Sequence, residues 1–152
     1  MKTKWECVDE VLDYAIAREQ EAIDFYTELA SKVDGAAMKK MFEQFSREEA
    51  GHKKRLQRIK EDKSLIPAER QVMDLKVADY TVDVMVTTDM SHQDALILAM
   101  KREKAAFRLY TDLAGAVDDA RLEATFLALA QEEAKHKLRF EIEYDDRVLT
   151  EN

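Results

Sequence analysis

The sequence predicts an all-α protein, a four-helix bundle made of two copies of one helical hairpin joined by a long crossover. Three observations lead there. The 152 residues include only three Gly and one Pro, too few breakers for anything but long helices with short turns. Apolar residues recur at steps of three and four in four separate segments. The chain also repeats itself: Glu19, Glu49 and His52 recur as Glu103, Glu133 and His136, each displaced by 84 residues. A period this long doubles a helix pair.

The surroundings repeat as well. The stretch Ala15–Ala30 aligns with Ala99–Ala114, and Glu48-Glu49-Ala50-Gly51-His52-Lys53 aligns with Glu132-Glu133-Ala134-Lys135-His136-Lys137. The first helix is expected from about Thr3, where Thr3-Lys-Trp-Glu6 resembles a capping box, to about Val33. Its inward stripe is Val8, Leu12, Ala15, Glu19, Ile23, Tyr26 and Ala30. The second, from about Ala36 to Glu61, carries Met38, Phe42, Phe45, Glu49, His52, Leu56 and Ile59. The third opens at a cap on Ser91 and carries Leu96, Ala99, Glu103, Phe107, Tyr110, Leu113 and Val117. The fourth, from about Ala120 to Arg147, carries Leu122, Phe126, Leu129, Glu133, His136, Phe140 and Glu143. A single domain spanning 1–152 is expected, with hairpins at 1–62 and 91–147, a crossover at 63–90 and a tail at 148–152.

Turns fall at Asp34-Gly35 and Asp118-Asp119, again 84 apart. Glu19 and Glu49 stand 15 residues either side of the first, and Glu103 and Glu133 flank the second alike. Equal rise puts each pair at one height, roughly 22 Å from its turn at about 1.5 Å per residue. A two-fold relation between hairpins then gathers all four glutamates at mid-bundle. The crossover holds Pro67 and the β-branched run Thr81–Thr88, and extended it reaches roughly 90 Å. Its apolar residues are too many for a solvated loop, so packing on the bundle or on a second subunit, and a homodimer, are expected.

Composition bounds the partners. A formal net charge of −8 disfavours nucleic acid and anionic membrane surfaces. The single Cys7 excludes an internal disulfide framework and any Cys-rich metal site, and is read as a helix-face residue. The opening residues lack the apolar run of a signal peptide and no segment has transmembrane length, so a cytoplasmic location is expected.

Glu-x-x-His on a helix sets both side chains on one face, one turn apart. One such match in a Glu-rich chain means little. Here it occurs twice, uses two of three histidines, and each copy follows by 30 residues a Glu that interrupts an apolar stripe. Four ionised carboxylates together in a core would repel strongly, whereas two divalent cations balance them in charge and coordinate them. Glu19, Glu49, His52, Glu103, Glu133 and His136 are therefore expected to bind two metal ions. Oxygen-rich ligation with one imidazole per ion suits iron or manganese, with zinc a possible substitute. Glu19 and Glu103 are assigned as terminal and Glu49 and Glu133 as bridging, although the sequence does not fix which carboxylate does which. Tyr26 and Tyr110, seven residues after Glu19 and Glu103, either hydrogen-bond to ligand carboxylates or fill the core against a backbone acceptor. His92 beside Ser91 is read as a surface or capping residue, not a ligand.

With these residues assembled, the chain resembles the rubrerythrin branch of the ferritin-like di-iron carboxylate superfamily over roughly residues 8–62 and 91–147. The resemblance implies a two-iron cofactor whose reduced form passes two electrons to hydrogen peroxide or dioxygen, with the six residues above as ligands. The departures are specific. Rubrerythrins proper carry a four-cysteine rubredoxin domain, so with one Cys the electrons must come from an external donor such as a rubredoxin-like protein. The family's extra glutamate, one turn after the third-helix ligand, is here Ala106, and the haem-ligand Met of bacterioferritins is here Ala50. The expected end of helix 4 leaves no room for the short fifth helix of ferritin cages. The leading expectation is thus an oxidoreductase acting on peroxide or dioxygen. An iron-binding or ferroxidase protein without organic substrate is the alternative, ahead of an oxygenase or a structural bundle.

Overall fold

The computed structural model describes residues 8–61 and 91–151, with side chains described from 9 and up to 146. The expected cap at Thr3, the Val8 side chain, Cys7 and the crossover 63–90 lie outside the described residues. Four helices account for the fold: α1 (Val8–Lys32), α2 (Ala36–Glu61), α3 (His92–Ala116) and α4 (Ala120–Glu151). Helix α4 runs past the expected end at Arg147, because Val148-Leu-Thr-Glu151 contains no Gly or Pro to stop it.

The termini carry the expected local chemistry. Gly35 closes the first turn with φ of 98°, a left-handed conformation strained for any residue with a Cβ. The Ser91 hydroxyl accepts from the Asp94 backbone N–H at 3.0 Å, capping α3 as its sequence predicts. Asp119 Oδ1 accepts from the Leu122 N–H at 2.9 Å and caps α4. The His92 ring bonds the carbonyl oxygen of Asp34, fixing the start of α3 beside the α1–α2 turn. That contact gives His92 a structural task well away from the bundle centre.

Each helix runs antiparallel to its two neighbours. Lys53 Nζ donates to Gln20 at 2.5 Å and the Thr27 and Ser46 hydroxyls meet at 2.9 Å, aligning α1 with α2. Helix α1 also crosses to α3 through Tyr26–Glu103 and Tyr110–Glu19. Helices α2 and α4 meet through Arg55–Glu132 and Phe45–Phe140. The end of α2 and the start of α3 therefore lie at opposite ends of the bundle.

The core is split in two. One apolar cluster joins Val11, Leu12 and Ala15 of α1 to Leu56, Leu113, Phe126 and Leu129. The other joins Phe25, Tyr26 and Leu29 to Phe42, Phe45, Leu96, Ala99 and Phe140. In every helix the interrupting Glu, or the Glu-x-x-His pair, falls between the two clusters. Each cluster buries large side chains completely, at about 1.5–3 kcal/mol per residue of transfer free energy, and so can hold a polar layer sandwiched between them.

Candidate metal centre

Glu19, Glu49, His52, Glu103, Glu133 and His136 are the buried residues of polar or charged type among the described residues, none more than 6% exposed. All six sequence-predicted positions converge at mid-bundle. The arrangement follows the internal two-fold closely. His52 Nδ1 lies 3.1 Å from Glu133 Oε1, and His136 Nδ1 lies 3.2 Å from Glu49 Oε1. The His52 to Glu19 separation of 3.7 Å matches 3.6 Å from His136 to Glu103. The two imidazoles are nearly parallel, 8° apart in plane, with centroids 6.0 Å apart.

Despite this crowding, each of the six presents one buried atom with no hydrogen-bond partner. They are Glu19 Oε2, Glu49 Oε1, His52 Nδ1, Glu103 Oε2, Glu133 Oε1 and His136 Nδ1. Buried polar atoms are ordinarily satisfied, because each orphan costs about 1–3 kcal/mol of desolvation. Six orphans from six potential ligands point to a group that accepts lone pairs, which is what a cation does. Ligand atoms of the six residues also fall into two sets of four, each set within 4.8 Å of one another: Glu19, Glu49, His52 and Glu133; and Glu49, Glu103, Glu133 and His136. Glu49 and Glu133 belong to both sets. The residues present thus fit two metal ions sharing two carboxylates.

The electrostatics say the same. Burial, followed by repulsion from the other three carboxylates, holds Glu49 well above the usual carboxyl range. Burial with repulsion from Glu103 and Glu19 does so for Glu133. Burial would lower both histidines, but the carboxylates around them win. His52 is raised to about 9 by Glu19 and Glu49, and His136 to about 10 by Glu103 and Glu49. Without a cation Glu49, Glu133, His52 and His136 favour their protonated forms, and a metal pair would displace those protons.

The two tyrosines take the first of their expected alternatives. Tyr26 donates to Glu103 and Tyr110 donates to Glu19, each reaching across to the opposite hairpin. Each leaves the other carboxylate oxygen, Oε2, free to face the centre. Burial, then the nearby glutamates, raises both phenols well above their ordinary value, so they act as fixed donors.

Two more residues belong to the site that the ligand pattern does not single out. The outward His52 Nε2 faces Glu132 Oε2 at 3.5 Å, and His136 Nε2 faces Glu48 Oε2 at 3.5 Å. Their signal was the repeated Glu-Glu dipeptide, in which the first member is half-exposed and off the apolar stripe.

No curated protein matches the sequence significantly. Among solved structures, a candidate ferritin-like diiron-carboxylate protein from Thermotoga maritima superposes with a TM-score of 0.79 at 19% identity, covering 97% of this chain and 99% of that one. A hypothetical protein from Pyrococcus furiosus superposes with a TM-score of 0.66 at 26% identity, covering 90% of this chain and 87% of that one. The fold is therefore the ferritin-like one. The rubrerythrin family model matches residues 10–144, a span that takes in both Glu-x-x-His motifs, both preceding glutamates and both tyrosines, and the chain belongs to the rubrerythrin family.

Proposed function

We propose that the chain is a two-iron oxidoreductase that reduces hydrogen peroxide or dioxygen with electrons from an external donor. Six buried ligand atoms without partners, in two sets sharing Glu49 and Glu133, carry this reading. Glu19, His52 and the shared pair would hold one ion, and Glu103, His136 and the same pair the other. Manganese satisfies the same donor set, so the choice of iron rests on the family. When bound, the metal pair supplies two reducing equivalents and Lewis acidity toward an O–O bond.

The protein's contribution is geometric. Apolar clusters above and below keep bulk water from the layer, which strengthens every electrostatic interaction within it. Tyr26 and Tyr110 hold Glu103 and Glu19 by one oxygen each and so fix the direction of the other. Reduction of one peroxide to two waters consumes two electrons and two protons. The electrons come from the donor and the protons from solvent.

The test is anaerobic loading with ferrous iron, then addition of peroxide or dioxygen with a small electron-transfer protein present. Fast two-electron oxidation with repeated re-reduction over many cycles is expected. Single-turnover oxidation with many ferric ions accumulating per chain would instead establish ferroxidation. That second reading draws on Ala106, which leaves the two ligand sets alike where the family's extra glutamate would distinguish them. Glu49→Ala and Glu133→Ala should each lower metal stoichiometry below two. Retention of two ions in both variants would overturn the site. A cytoplasmic, homodimeric protein remains our working picture, and no helix among the described residues is long and apolar enough to cross a membrane.

A further inference from the structure

The internal two-fold fails behind the two histidines. Glu132 Oε2, which faces His52 Nε2, also accepts from Arg55 Nη1 at 2.9 Å. The counterpart of Arg55 in the second repeat is Arg139, and it does not support Glu48. Its guanidinium lies over the ring of Phe45 instead, 5.7 Å from the centroid. Among the described residues no Lys or Arg lies within ion-pair distance of Glu48. Phe45 also packs edge-on against His136 at 4.5 Å, while the equivalent position beside the other half is Leu129. The ligands themselves are symmetric, and the residues behind the two histidines are not.

We propose that Glu132, anchored by Arg55, is a positioning residue for His52, and that this one-sided support makes the metal position at His52 the tighter of the two. The inference rests on the two-metal reading of the site. A metal-ligating imidazole commonly donates its other N–H to a carboxylate, which fixes the ring and tautomer and raises its basicity. Here Nδ1 of each histidine faces the centre, so Nε2–H is the free donor. Glu132 is held in place to receive it, whereas Glu48 must give up side-chain freedom to do so. A planar, two-pronged Arg loses little freedom in making that anchor. The two positions therefore fill in order, the His52 position first, without any difference in the ligand set.

Cobalt(II) alone, titrated into metal-free protein by calorimetry, reads both steps. The wild type should show two steps of different affinity. Glu132→Gln should weaken the tighter step by about 10–100-fold. Arg55→Met should weaken the same step in the same direction, and Glu48→Gln should weaken only the looser step, by less. A merely structural role would not move a second readout. In the cobalt-loaded protein each histidine gives a hyperfine-shifted exchangeable N–H resonance, and that of His52 should exchange with solvent more slowly than that of His136. Glu132→Gln should abolish the difference. Equal losses in Glu132→Gln and Glu48→Gln, or an Arg55→Met variant indistinguishable from wild type, overturn the inference. If the wild type takes up fewer than two cobalt ions, the two-metal reading itself fails, and this inference with it.

Discussion

Tyr26 of the first hairpin donates its hydroxyl to Glu103 of the second, and Tyr110 returns the same bond to Glu19. Neither tyrosine bonds to the glutamate seven residues before it on its own helix. Seven residues rise about 10.5 Å along the axis, and each hydroxyl bonds across the bundle instead. The antiparallel crossing of α1 and α3 supplies the partner, so the tyrosines bolt the hairpins together at the level of the site.

Removing one bolt should show in both stability and metal binding. Tyr26→Phe leaves a buried Glu103 oxygen without its donor, and should destabilise metal-free protein by about 1–3 kcal/mol in chemical denaturation. Its metal affinity should fall by about 10–100-fold, because the carboxylate loses its orientation. Tyr110→Phe should behave alike. A Tyr26→Phe variant with unchanged affinity would mean that the tyrosine only fills the core.

The protonation of the cluster predicts how metal-free protein responds to pH. Glu49 and Glu133 bind protons more tightly folded than unfolded, so stability falls as pH rises above their unfolded value of 4.5. His52 and His136, raised from 6.5 to about 9 and about 10, contribute stability that is complete below pH 6.5 and lost as pH passes those values. Both effects have one sign. Thermal melts in chelator should therefore decline steadily from mildly acid to alkaline pH. Metal uptake should release protons, which calorimetry in buffers of different ionisation enthalpy detects. A melting temperature that climbs between pH 7 and 10 would contradict this account.

Most of the fold was legible because the chain states its pattern twice. The stripes at steps of three and four, interrupted by Glu19, Glu49, Glu103 and Glu133, located the buried layer. The turns set those residues at one height, and the structure gathers them there. The Arg55–Glu132 anchor was not legible, since both lie on outward faces where sequence reads only as solvated charge. Nor could spacing tell which carboxylate each tyrosine would reach, because that depends on the register between hairpins and not within one. The role of His92 is of the same kind: its partner is the Asp34 carbonyl, a backbone group 58 residues away.

The two halves of the core are not equally aromatic, which gives a prediction on packing. Phe140 is fully buried against Tyr26, Phe42 and Phe45, with centroids 4.6–5.9 Å away. Phe140→Ala should cost about 3–5 kcal/mol. Leu138 on the same helix is 55% exposed, and Leu138→Ala should stay within about 0.5 kcal/mol. Denaturant midpoints at constant slope distinguish the two, and similar losses for both would mean that the Leu138 face is covered in solution.

The strongest consequence of the site is that it should work against the stability of the protein that carries it. With no cation, Glu133 is surrounded by Glu49, Glu103 and Glu19 in a layer from which water is excluded, and one of its oxygens has no partner. Keeping that carboxyl protonated at neutral pH works against folding, and an amide of the same shape is neutral without a proton, so Glu133→Gln should stabilise metal-free protein by about 0.5–2 kcal/mol. With metal the order should invert. Wild type gains about 2.7 kcal/mol for each site held at a hundred times its dissociation constant, and the variant, lacking a shared carboxylate, gains less. Paired melts in chelator and in excess ferrous iron under nitrogen would show the two curves exchanging places. A Glu133→Gln variant already less stable than wild type in chelator would mean that the hydrogen bonds Glu133 makes as a carboxylic acid outweigh the cost of keeping it protonated.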